Sequence, residues 1–594
     1  MHPAWLRCSS LTYSRYARPS RLARQAPRRP ERHTYFCQGP TLVKRAASLV
    51  AIAAFCIGMQ LWLLPPHGFM SGDQGSKYLQ ARAFASHGPF HPGIDVRSRD
   101  LDPEYRHQEP KLKNREGRLV SEFLWLLPLT TAPFLAALGL HGLYVVPAIS
   151  VLVIFLVGCA LGRRMLPGDG LWAGWTVVVA TPILLYGLEL WEHAPAAACV
   201  LLATALFGPW SPSTGKWRFA GAGALILAAG LFREEALPAL PALIVARALS
   251  LQRDRLRDIV VTSLWAFAGV AAVALMAVPM NVLLYGTPLP MHLTQDAWDV
   301  ARATPFMEVR RRVLFDLLLP TRYQAVYAAL AVGGVLASML KKMGAVHACV
   351  AALLCISVVI PLARQDYNVA SAAHTWPFVV ALLYWPWART ALNESAGRFL
   401  MLAGALFLLL AALIVPTSGG AQWSPRFLLA VAPLLGVVAG AIAWQRTTTV
   451  IALMASAAII AAVLMQGAGI LYLRDAKARN ARITDQLRAL VPPDEPIIAD
   501  AYWVPEVAAT LAPDRRLLFA WSPADVEQIA GLAARSGFRN VAVVTSIGET
   551  GYVAPRTFDA SIAGCVFTRT VRLAVGERGL IVHRYACTVG GMLR

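Results

Sequence analysis

The residues best suited to chemistry stand where charge interrupts apolar sequence. Asp73 lies in Ser71-Gly72-Asp73-Gln74-Gly75-Ser76-Lys77-Tyr78, directly behind the first long apolar run. A carboxylate held at a membrane surface can take a proton, although an aspartate between two glycines also serves simply to make a turn. Leu188-Glu189-Leu190-Trp191-Glu192-His193-Ala194-Pro195 gathers two acids and an imidazole between two further apolar runs. Glu189 and Glu192 share a face if the helix persists there, and the group reads either as a solvated helix end or as a binding cluster. Arg233 and Glu234 break another apolar run. A charge inside a span costs roughly 3 kcal/mol unless paired or wet, so the two form either an ion pair pinning helices or an anion site. Arg426, in Ser418-Gly419-Gly420-Ala421-Gln422-Trp423-Ser424-Pro425-Arg426-Phe427, is expected in a short outward loop, against the preference for cations inside. A phosphate or a snorkelling contact with headgroups would retain it there. Lys77 could reach the same anion. Arg364 is read as paired with Asp366, and Arg310, Arg311, Arg312 and Arg322 as lying against outer headgroups.

These residues need apolar helices to bring them to one side of a bilayer. The chain has 594 residues, 57% of them hydrophobic and 15% charged, with a mean hydropathy of +0.51, which excludes an ordinary soluble protein. Its net charge of +21 sits mainly in the N-terminal tail and in short inter-helix loops, so it is a topology signal and not a nucleic-acid footprint. Residues 1–45 carry ten Lys or Arg against one acid, Glu31, and are expected to be a disordered cytoplasmic tail. An organelle transit peptide or a misassigned start codon would give the same composition. Ala46 to Leu64 is the first span, entering from the cytoplasmic side. Residues 65–141 form an external loop, in which Ser76 caps a helix through Ala85, His91 to Glu116 is irregular, and 119–140 is re-entrant or lies on the surface. Further spans are expected at 142–161, 170–189, 194–208, 219–232, 236–251, 259–285, 324–340, 345–362, 372–392, 399–415, 427–444 and 450–473, about thirteen in all, which sends the C-terminus outside.

From residue 474 the character changes. Pro496 to Asp500, Arg516 to Trp521, Asn540 to Ser546 and Leu580 to Ala586 read as strands with helices between them, a small extracytoplasmic α/β domain over 474–594 with no catalytic role assigned. Of the nine cysteines, Cys56, Cys159, Cys199, Cys349 and Cys355 fall in apolar runs and pack as small hydrophobes, whereas Cys565 and Cys587 could pair in an oxidising compartment. The fold class is thus a polytopic all-α membrane protein, 46–473, with an external α/β domain.

The apolar first helix followed by Gly72-Asp73-x-Gly75-x-x-Tyr78 and a helix rich in Ala, Gln and Arg resembles the GT-C glycosyltransferases, polytopic enzymes that take sugars from polyprenyl-phosphate carriers. Gly117-Arg118-Leu119-Val120-Ser121 with Pro128 and Ala132-Pro133-Phe134 is similar to the loop by which that family returns to the membrane. The run Gly419-Gly420-x-x-Trp423-x-Pro425-Arg426-Phe427 resembles a Gly-Gly-x-x-Trp-x-Pro-Arg-Tyr pattern of bacterial members. The resemblance implies that Asp73 is the catalytic base of an inverting transfer and that Lys77, Tyr78, Glu192, His193, Arg233, Glu234 and Arg426 bind substrate. It also makes Glu189, Glu192 and His193 a candidate divalent-metal group, although His193 stands where a second close acid is usual. The implied partners are a polyprenyl-phosphate sugar donor, a glycan, lipid or protein acceptor and the lipids of the cytoplasmic membrane, with no nucleic acid. A multi-span transporter or lipid flippase would also need many spans and intramembrane charges, but no internal duplication is visible.

Overall fold

The structure is a computed structural model and describes residues 39–168, 170–210, 215–250, 255–290, 306–320, 323–364, 371–415, 423–445, 449–547, 561–563, 565–573 and 579–587. The tail to residue 38, Arg322, Asp366 and the glycines of 418–422 lie outside the described residues.

Among the described residues, seven helices are long and apolar enough to cross a bilayer, beginning with Leu42–Leu63 and ending with Thr449–Leu490. Leu264, Leu275, Met276, Leu409, Leu453, Ile460 and Leu464 on these helices are exposed, an apolar surface that water would not tolerate and hydrocarbon covers. The shortfall against thirteen full spans has a local cause. The run expected at 170–189 is split into Leu171–Val179 and Ile183–Gly187 around Pro182. The run at 372–392 is divided by Pro377 and Pro386 into short turns. Lys216–Phe232 and Ala239–Ser250 have 17 and 12 residues, fewer than the roughly 20 a hydrocarbon core requires.

The helix carrying Asp73 runs from Gly72 to His87, with Ser71 in extended conformation at the N-cap position. It therefore starts four residues before the expected Ser76 cap. Ser76 is buried inside it, donating to the Asp73 carbonyl at 3.2 Å. Asp73 falls in the first turn, where the helix dipole favours a carboxylate. The following segment is not wholly irregular: strands β1 (Leu112–Arg115) and β2 (Arg118–Ser121) make a hairpin. Its turn, Glu116-Gly117, has φ of 52° and 78°, the positive pair that matches strand twist. Helix Leu126–Leu138 then packs on the Asp73 helix and ends at Gly139, φ 59°.

The C-terminal domain is one mixed sheet in the order β4-β3-β5-β8-β7-β6. Strands β3 (Ile497–Ala499), β4 (Leu517–Phe519), β5 (Asn540–Ile547) and β8 (Gly579–Cys587) match the expected segments; β6 (Ser561–Ile562) and β7 (Cys565–Leu573) were not anticipated. β3 is parallel to β4 and β5, while β5, β8, β7 and β6 are antiparallel. Cys565 and Cys587 face each other across β7 and β8 and form a disulfide. The edge of β4 is covered by the segment between the Asp73 helix and the hairpin: the Phe519 amide donates to the His107 carbonyl at 2.7 Å, and Arg516 pairs with Asp100 at 2.6 Å. No break separates the apolar helices from this domain, because Thr449–Leu490 is a single helix of 42 residues, about 63 Å long.

Candidate active site

Four elements meet at one end of the helices. The Asp73 helix presents Asp73 and Lys77, four residues apart and hence on one face. The turn between Ile183–Gly187 and His193–Phe207 contributes Glu189, Trp191 and Glu192. Arg233 closes Lys216–Phe232 in extended backbone, which frees its side chain from the helix surface. Arg426 opens a short 3-10 helix, Arg426–Val431, behind Pro425. The preceding Ser424 has φ of 71°, and its hydroxyl accepts from Trp376 Nε1 at 2.9 Å and from Thr375 at 3.1 Å, fixing the direction of the chain.

The side chains form a chain of charges. Lys77 Nζ donates to Glu192 Oε2 at 2.8 Å, and Arg233 Nη1 to Glu192 Oε1 at 2.7 Å. Arg233 also grips Glu235 with two hydrogen bonds of 2.7 and 3.1 Å. All four groups are buried, and pairing is what makes that burial tolerable. Arg426 lies 3.6 Å from Asp73 in a looser contact, its guanidinium 5.3 Å from the Trp191 ring and 5.2 Å from that of Phe427. Lys77 stands over the Phe123 ring at 4.6 Å.

Buried nitrogens without partners cluster beside Arg426. Arg426 Nε, the Trp191 indole nitrogen and both ring nitrogens of His193 are buried with no hydrogen-bond partner. Unpaired buried donors are rare and need a reason; an anion supplied from outside the chain is one. Burial alone would raise the Asp73 carboxyl, but the charges of Arg426, Lys77 and Lys111 outweigh it and hold it below the usual aspartate value. Asp73 is therefore ionised at neutral pH.

Several groups at the site had no clear signal in the sequence. Lys111 and Lys113 bind Glu122 at 3.0 and 3.2 Å. Burial would lower Lys111, yet Glu122 and Asp73 raise it above the usual lysine value. Glu109 is buried with both oxygens unpartnered, and burial together with Glu506 and Glu122 holds it well above the usual glutamate value. Glu506 comes from the C-terminal domain, in the short helix Trp503–Val507. Burial, with the Asp73 charge, pushes it up to about 8. Its only trace in the sequence is Gly72 and Gly75: a Cβ on the first would overlap the Glu506 carboxylate and one on the second its carbonyl oxygen.

The remaining expected site residues fall as follows. Tyr78 is buried against Phe69, ring centroids 5.8 Å apart. Glu234 is half-buried, and the acid that grips Arg233 in the two-pronged contact is its neighbour Glu235. Glu189 is fully buried and engaged by Lys477 at 3.1 Å and by Gln74, while Lys477 also donates to the Tyr144 hydroxyl at 2.9 Å. Glu189 and Glu192 are thus each held by cations and His193 packs on Tyr186 and Trp191. Among the described residues, no three His, Cys, Asp or Glu side chains come together so as to hold a metal ion. An apolar cavity of about 350 Å³ is lined by Leu318, Tyr327, Trp376, Met401, Leu408 and Leu435, and Trp376 is the residue that donates to Ser424.

No protein-family profile and no curated protein matches the chain. Among solved structures, it is similar to ArnT from Cupriavidus metallidurans bound to undecaprenyl phosphate, at 12% identity and a TM-score of 0.46, covering 91% of this chain and 97% of that one. The apo state of the same protein gives a TM-score of 0.44 at the same identity and coverage. The archaeal oligosaccharyltransferase AglB from Archaeoglobus fulgidus, in complex with an inhibitory peptide and a dolichol-phosphate, gives 0.44 at 12% identity, covering 84% of this chain and 69% of that one. Likeness this distant carries no residue role across.

Proposed function

We propose that this protein is an inverting glycosyltransferase of the GT-C type, which moves a sugar from a polyprenyl-phosphate carrier to an acceptor hydroxyl outside the cytoplasm. The observation that carries the reading is the pairing of an ionised Asp73 with Arg426, flanked by buried donors that have nothing to bind. In the reaction the acceptor hydroxyl gives its proton to Asp73 as its oxygen attacks the anomeric carbon. The bond from that carbon to the phosphate oxygen breaks, and its electron pair leaves with the polyprenyl phosphate. Phosphate is a good leaving group and needs no general acid, but the charge it gains must be met by cations. Arg426 meets it first, with Lys77 and the Glu192-anchored Arg233 behind, and His193 can offer one ring N–H. A single displacement inverts the configuration.

The apolar cavity at Trp376 suits the first units of an isoprenoid chain. Two features support the external side: Lys44 and Arg45 lie at the N-terminal end of the first span, and the C-terminal domain holds a disulfide, the product of an oxidising compartment. The test is to offer purified full-length protein a panel of polyprenyl-phosphate sugars with glycan, lipid and peptide acceptors. A glycosidic product that Asp73→Asn fails to make supports the reading. Lipid movement across vesicles without any such product would replace it with a transporter or flippase.

A further inference from the structure

The C-terminal domain brings the carboxyl group of Glu506 to the site. Glu506 sits on the first turn of the Asp73 helix, in the space left by Gly72 and Gly75. It is 4% exposed, and its Oε1 has no hydrogen-bond partner. The charged groups facing it are Asp73 on that helix, Glu109 and Lys111 ahead of the hairpin, and Glu122 after it. We infer that Glu506 is a positioning residue for Asp73, a carboxyl group from the C-terminal domain that seats the first turn of the helix and sets how much negative charge the anion meets there. This rests on the reading of Asp73 as the base.

The physical argument is one of shape and charge together. As a neutral acid, Glu506 fills the notch between the two glycines without opposing Asp73. As a carboxylate it brings a further unit charge to a site that already holds the charge of Asp73, and works against an incoming phosphate. Its value near 8 keeps it neutral at pH 7, and the change of state falls just above. The ion pairs that neutralise Glu122, Glu192 and Glu235 draw on Lys77, Lys111, Lys113 and Arg233, so none of these cations is left for Glu506.

The probe is undecaprenyl phosphate, titrated against the full-length protein in detergent between about pH 6 and about pH 9. Affinity should fall about tenfold through pH 8 as Glu506 ionises, one added like charge at the site being taken as worth about one pKa unit. Glu506→Gln, which keeps the shape and cannot ionise, should flatten the fall. Glu506→Asp, which keeps the acid one methylene further from Gly72, should retain a fall at lower pH and serves if the Gln variant does not fold. A fall that stays at pH 8 in either variant overturns the inference, as does the absence of any fall in the unaltered protein. Because the readout is binding, it is separate from the chemistry: transfer that survives Asp73→Asn would sink the base and leave the pH dependence of binding intact.

Discussion

Replacing Arg426 by methionine removes the cation nearest Asp73 while keeping an unbranched chain against Trp191 and Phe427. At the observed 3.6 Å and an effective dielectric of about 20, Coulomb's law gives roughly 4–5 kcal/mol between the two charges. Both side chains keep some solvent, 12% and 23% exposed, and hydration of the freed carboxylate offsets about half, leaving ~2 kcal/mol or about 1.5 pKa units. The sign is fixed by the direction of the shift. Asp73 is held below its usual value, so removing Arg426 lets it rise, and the acid limb of the pH–rate profile moves up by that amount. Asp73 would still be ionised at pH 7, so loss of the base cannot account for a large loss of rate there. A loss of about 100-fold or more at pH 7 is expected all the same, because the leaving phosphate loses its first cation. The assay is transfer from the active polyprenyl-phosphate sugar across the pH range. An unmoved acid limb with a rate within a few-fold of the parent would refute both the pairing and the role.

Asp73→Asn should lower transfer by about 1,000-fold or more while the protein melts normally in detergent, since an amide cannot take the proton. Glu235→Gln should destabilise by about 3 kcal/mol, read as a drop in melting temperature, by leaving Arg233 half-paired in a buried site, whereas Glu234→Gln should change it by about 0.5 kcal/mol or less. Lys477→Met should cost about 3–5 kcal/mol by stranding Glu189, and the loss should be largely recovered in the double variant with Glu189→Leu. Glu506 is raised from 4.5 to about 8, so the folded state takes up a proton that the unfolded chain does not hold. Melting temperature should therefore fall as pH rises from 4.5 through 8, and Glu506→Gln should reduce that slope, leaving the part that Glu109 supplies.

Charge was most informative where the surrounding sequence was apolar. Glu192, Arg233 and Arg426 stand out against Leu, Ala and Phe, and they meet at the site because burying a charge in such surroundings requires partners. Glu109, Lys111 and Glu122 lie in a segment crowded with polar residues, where one more charge carries no message, and the same crowding hid the hairpin β1–β2. Glu506 and Lys477 were invisible for a different reason: they reach the site from sequence more than 350 residues beyond Asp73, and only the tertiary fold joins them. The two-pronged partner of Arg233 is Glu235, one position beyond Glu234, since the sharp turn after Arg233 aims adjacent side chains differently. Ser76 looked like a helix start because serine caps well and glycine is a poor helix former. The helix nevertheless begins at Gly72, where a small residue is needed to let Trp503–Val507 approach.

The helix Thr449–Leu490 leaves the apolar bundle and enters the sheet domain without a joint, and Lys477 sits just past the point where its apolar stretch ends. One continuous helix thus carries both the sheet domain and the cation that pairs with Glu189, while Trp503–Val507 packs against Gly72. Cutting the gene at the apparent edge of the lipid phase would accordingly not yield a trimmed enzyme, because the severed piece carries the counter-charge that the remaining half cannot do without.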